Sequence, residues 1–144
     1  MITTKDIVKG VNRLLISKYK GLVYSTDDKK KIKNGSFRVE TPFPIVNVSS
    51  GFQTEEGTIR IYYFPLDEDE TRLEFINKMA ELRELFSNGV EINDSFVLPV
   101  FEMEFSNIDE VLMMEFDYMI CQTFETADEK NAEIMENLEI KEAY

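Results

Sequence analysis

Histidine does not occur in this 144-residue chain. That absence removes Ser–His and Cys–His nucleophile pairs, His-containing zinc sites and the usual proton shuttle. A single cysteine, Cys121, leaves no intrachain disulfide to form, so nothing requires an oxidising compartment. No apolar run approaches the roughly 18 residues of a membrane span. The opening MITTKDIVKG places charge where a secretory signal would carry its apolar core. Phosphate-loop, dinucleotide, EF-hand and zinc spacings are all missing. Positive charge is scarce: 16 Lys and Arg stand against 28 Asp and Glu, a net −12. Such a balance disfavours general nucleic-acid or anionic-membrane binding. These exclusions leave an acidic, cytoplasmic, non-enzymatic domain as the expectation, without cofactor or metal.

What is present is a chain with 43% hydrophobic residues, enough for a real core. Its charge is split. Residues 1–40 carry ten basic and four acidic side chains, a net +6, and residues 41–144 carry six and 24, a net −18. A dipolar chain of this kind can stack head to tail or meet two partners of opposite charge; two solvated faces are the plainer reading. The basic run Lys29–Lys33 lacks interleaved aromatics and reads as a solvated loop rather than a phosphate grip.

Periodicity predicts the elements. Ile7, Val11, Leu14 and Leu15, with Val8 beside them, form one stripe of a helix capped by Thr3 or Thr4 and closed near Gly21. Leu22–Ser25 reads as a short strand, and Asp27–Gly35 as a polar loop turning at Asn34–Gly35. Phe37 and Val39 alternate with polar residues until Pro42 and Pro44 interrupt the ladder, with Ile45, Val46 and Val48 resuming it. Ser49–Gly57 reads as a hairpin tip and Thr58–Phe64 as the strongest strand. A second helix follows, capped by Asp67 or Asp69. Its stripe is Phe75, Met79, Leu82 and Phe86, widened by Leu73, Ile76 and Ala80, and Asn88–Gly89 ends it. Strands around Phe101–Phe105 and Leu112–Cys121, joined through Ser106–Glu110, make a last hairpin. The expected fold is α+β: a mostly antiparallel sheet of four to five strands packed by two helices. Residues 1–126 form the domain, and 127–144 an acidic C-terminal tail.

No residue is put forward as catalytic, cofactor-binding or metal-ligating. Glu102, Glu104, Glu115 and Asp117 read as the solvent face of a hairpin, where direct pairing would repel. Cys121 is expected to be a buried or half-buried filler. In the tail, Ile134, Met135, Leu138 and Ile140 are the sizeable apolar groups, too few to order the segment on its own domain. They are expected at a subunit interface, with a dangling tail as the competing reading.

The arrangement resembles the tail terminator family of tailed phages, in the form common in Firmicutes prophages and phage-tail-like bacteriocins. The resemblance rests on the opening helix TTKDIVKGVNRLL, the GLVYS and SFRVE strands, and TIRIYYFP followed by LDEDETRLEFINKMAELRELF. The hairpin FEMEFSNIDEVLMMEFDYMI and the closing MENLEIKE complete it. Pro42 and Pro44 depart from the unbroken ladder expected there. The resemblance implies a homohexameric ring that caps the head-proximal end of the tail tube, stops its polymerisation and joins it to the neck. The implied partners are further copies of the chain, the tube protein, a sheath where there is one, and a neck or head-completion protein. The implied location is a virion or tail particle assembled in the host cytoplasm. DNA would pass through the ring without specific binding, past a lumen to which Glu55 and Glu56 are assigned. Another head–tail connector, or an acidic inhibitor module of a different class, are the alternatives.

Overall fold

The computed structural model describes residues 1–25 and 33–123. The first helix, α1 (Thr4–Lys18), begins where Thr3 leaves extended backbone and Asp6 accepts the Thr3 backbone N–H at 2.9 Å. That hydrogen bond holds the Asp6 carboxyl below its usual range. Ile7, Val11 and Leu15 are fully buried, one stripe of the helix as their spacing predicts. Gly21, at φ 75°, turns the chain into β1 (Val23–Ser25). Five further elements complete the first two thirds of the fold: β2 (Phe37–Glu40), β3 (Ile45–Ser49), β4 (Phe52–Tyr63), α2 (Thr71–Phe86) and β5 (Val90–Asn93). They are followed by β6 (Phe96–Leu98), β7 (Glu104–Ile108) and β8 (Val111–Thr123).

The main sheet has the order β1-β2-β4-β8-β7, with β3 also paired to β4. Among the described residues only β1 and β2 run parallel; every other pair is antiparallel. The α+β class with two helices and a mostly antiparallel sheet is therefore as expected, with six strands in the main sheet among the described residues rather than four to five. The register places Phe37 beside Tyr63, Val39 beside Ile61, Ile61 beside Met114 and Ile59 beside Phe116, all on one face. Both helices cover that face. Tyr19 packs on Phe37, Phe75 on Tyr63 and Phe86 on Phe116, with ring centroids 4.4, 6.3 and 5.8 Å apart. The opposite face is left open by the described residues.

Four local expectations change. The polar stretch before Thr58 is strand: β4 starts at Phe52, and the turn reduces to Ser50–Gly51 between the paired Ser49 and Phe52. Hydrophobic alternation is blind there because the added residues pair laterally without joining the core. The last hairpin turns at Asp109–Glu110, both at positive φ, so β7 begins at Glu104 and Phe101 precedes it. Leu73, Ile76 and Ala80 do not widen the stripe of α2; all three are exposed, while Phe75, Leu82 and Phe86 are buried and Met79 and Leu85 pack at the margin of the core. Glu70 rather than Asp67 or Asp69 precedes α2 as its cap residue. A small β5–β6 hairpin, unassigned from sequence, packs beside α1.

The proline pair is a joint. β2 pairs with Arg60–Tyr63 and β3 with Phe52–Glu56, so both lie on the same side of β4 in series. Proline lacks the N–H for a ladder bond, so the chain leaves β4 at Thr41–Pro44 and rejoins it at Ile45.

Candidate functional site

On the open face of the sheet the carboxylates are ordered into a row. Glu40, Arg60, Glu115 and Glu104 occupy adjacent positions across β2, β4, β8 and β7. Glu104 and Glu115 are thus directly opposed, the repulsive arrangement anticipated from sequence. Arg60 offsets it, donating from Nε to Glu115 Oε2 at 2.8 Å. The same hydrogen bond raises the Arg60 pKa. Asp117 is likewise engaged, accepting from the Thr58 hydroxyl at 2.7 Å. Glu104, Glu115 and Asp117 line a shallow depression of about 390 Å³ with Phe101, Glu102 and Phe116. Of these carboxylates, Glu115 and Asp117 are engaged within the sheet itself. Among the described residues no group of three or more His, Cys, Asp or Glu is placed to hold a metal.

Away from the β7–β8 turn, the sheet continues as a three-stranded arm. It consists of β3, the first half of β4 and the last part of β8. Its helix-side face is tied down at the base by α1. Glu55 is 7% exposed and accepts from the Thr4 hydroxyl at 2.8 Å, which also lies 2.7 Å from the Tyr118 hydroxyl. Burial pushes the Tyr118 phenol above its ordinary value; the Thr4 hydrogen bond opposes this and the Glu55 charge adds to it. Gln122 exchanges two hydrogen bonds of 2.7 Å with the backbone of Ile2. Gly57 leaves the space that the Tyr118 ring fills.

The two edges of this arm carry no partner strand among the described residues. β3 pairs with β4 alone. β7 stops at Glu104 opposite Glu115, so β8 from Phe116 onward pairs only with β4. Every residue of β3 is exposed, including Ile45 at 61% and Val48 at 65%; Met119 on β8 is 60% exposed. Phe43, just before β3, is wholly in solvent.

The residues singled out from sequence are distributed as follows. Glu55 and Glu56 sit within the arm rather than at a hairpin tip; strand parity buries Glu55 and exposes Glu56. Cys121 is exposed, not a core filler, because odd positions of β8 in this stretch face away from the helices. Of the basic run, Lys33 is described and exposed; Lys29, Lys30 and Lys31 lie outside the described residues, as do Ile134, Met135, Leu138 and Ile140. Sequence reasoning anticipated a sheet edge at the proline pair but did not locate the free edges on β3 and the end of β8. The signal available was an apolar IVNV run with no alternation, and a final strand much longer than its hairpin partner.

A family model described as "Phage tail terminator protein" matches residues 6–132, from the first turn of α1 through β8. No curated protein matches the chain.

Proposed function

The chain belongs to the phage tail terminator family, and from that premise we propose that it closes the head-proximal end of a finished tail tube as a homohexameric ring. The observation that carries this reading is the family match through the whole described fold. The arm supports it: apolar strand edges left in solvent are a liability in a monomer and an asset in an assembly. The chemistry is that of complementary surfaces. One axial face of the ring would meet the tube protein, and a sheath in a contractile tail. The other, of different composition, would meet a neck or head-completion protein. Because the two faces differ, a further tube layer finds no copy of the surface it grows on, and polymerisation stops.

DNA passing through the ring favours an acidic or neutral lumen, since phosphate contacts by Lys or Arg would slow it. Glu56, with its carboxylate in solvent, is the proposed lumen residue; Glu55 is engaged with Thr4. The segment 127–144 is proposed to pack on an adjacent subunit through Ile134, Met135, Leu138 and Ile140. Assembly would take place in the host cytoplasm, and the protein would remain on the virion or tail particle.

The test is deletion of the coding sequence in the particle-producing strain, with tail lengths measured by negative-stain electron microscopy. Overlong tubes that do not join heads are expected. Tails of normal length joined to heads would overturn the reading.

A further inference from the structure

From the two free edges of the arm we infer that neighbouring copies join by β-sheet addition, β3 of one copy pairing with the last part of β8 of the next. This rests on the ring reading above and names the surface that closes it.

The edges match in four respects. Both are unpaired among the described residues, so each presents backbone donors and acceptors along one side. Both belong to the same three-stranded arm and lie on opposite sides of it, which makes the contact heterologous. Such contacts close into rings when the rotation permits. β3 and β8 each run antiparallel to β4, so they run parallel to one another within a copy. Rotation about an axis lying along the arm preserves strand direction, and the junction is a parallel pair with every arm aligned. Finally, β3 contains no charged residue and no proline, the usual devices that keep an edge strand from pairing. The junction would bring Ile45 of one copy beside Met119 of the next, on the face turned away from the helices, covering apolar surface now in water.

Size is consistent with this. Six arms of three strands would make a cylinder of roughly 18 strands, in the range that leaves an open aqueous channel rather than a packed interior. Glu56 and Asp117 lie on the arm face turned away from the helices, so if that face turns inward the lining is acidic.

The register offers a direct test. Asn47, Thr54 and Cys121 occupy one row across β3, β4 and β8. Within one copy Asn47 and Cys121 are two strand spacings apart, about 10 Å, too far for a disulfide. Across the proposed junction the same row brings them together. Full-length Asn47→Cys/Cys121→Ser chains are co-assembled into tail particles with size-tagged wild-type chains, oxidised mildly, and run without reductant. Ile45→Cys and Ser49→Cys, each with Cys121→Ser, cover a register shifted by two residues either way, the smallest shift that keeps the side chain on the same face. A mixed dimer of one variant and one wild-type chain is expected from at least one of the three, and is lost when the tagged chain is also Cys121→Ser. Particles that carry the ring at full copy number but give no mixed dimer at any of the three positions would overturn this junction and leave the ring reading intact. Particles with no ring at all would overturn both.

Discussion

Glu74 shows how a single residue joins two elements. From the first turn of α2 its carboxylate accepts the Tyr63 hydroxyl, the Leu66 N–H at 2.8 Å and the Asp67 N–H at 3.2 Å. Burial alone would raise its pKa, but those three hydrogen bonds outweigh burial and hold it below the ordinary value. A depressed carboxyl pKa contributes stability that is full above the unfolded value near 4.5 and fades as pH falls through the folded one. Glu74→Gln should therefore cost about 1–2 kcal/mol at pH 7. The gap from wild type should shrink as the pH is taken below 4, read by urea unfolding at several pH values. A gap that is constant with pH would mean that the Glu74 charge contributes nothing. On the other side of the same aromatic cluster, Lys78 lies 4.8 Å above both the Tyr19 and Tyr63 rings and 3.0 Å from Glu81, so a helix-borne cation covers the ring stack where the core meets solvent.

At the scale of elements, the arm depends on β4 fitting between its neighbours. Gly57 sits in mid-strand, where an alanine would ordinarily stabilise by up to about 1 kcal/mol. Here the added Cβ would lie 2.7 Å from the Tyr118 hydroxyl and 2.9 Å from its ring. Tyr118 cannot swing away without losing Thr4, 2.7 Å from its hydroxyl at the start of α1. Gly57→Ala is thus expected to destabilise by about 2 kcal/mol, the sign being set by overpacking, as measured by thermal or urea unfolding. A stabilised variant would show that the arm is loosely seated on α1. Elsewhere the element boundaries follow local chemistry: Gly89, at φ 80°, ends α2 where any Cβ would meet the Leu98 carbonyl oxygen at 2.6 Å.

For the molecule as a whole, the helices cover one face of the sheet, and the described residues leave both the opposite face and two strand edges to partners. The chain beyond Thr123 departs from the tip of the arm, since Thr123 pairs with Phe52 at the β3–β4 turn. The proposed packing of the segment 127–144 on an adjacent subunit would start from that point. Truncation after Thr126 is expected to leave the far-ultraviolet circular dichroism of the isolated protein unchanged while abolishing ring assembly on tail ends. Truncated protein that still yields capped tails of normal length joined to heads would show the segment to be dispensable.

Sequence by itself determined the class of the fold and the composition of its core. Ile7, Val11 and Leu15 on α1, Phe75, Leu82 and Phe86 on α2, and the alternation through Ile59, Ile61 and Tyr63 were legible because burial imposes a period of 3.6 or 2 on apolar residues. The whole-chain order of these elements also carried the family resemblance. The arm was not legible. The stretch Phe52–Gly57 adds no apolar residue to the buried core, so its polar residues read as a hairpin tip. Nor could sequence say that Glu55 is buried and Cys121 exposed, since both follow from strand parity once the register is fixed. Which edges stay unpaired is likewise a property of the sheet: β8 outruns β7, and β3 joins β4 from outside after the proline joint. Backbone pairing across the chain is non-local, and only the tertiary structure decides where it stops.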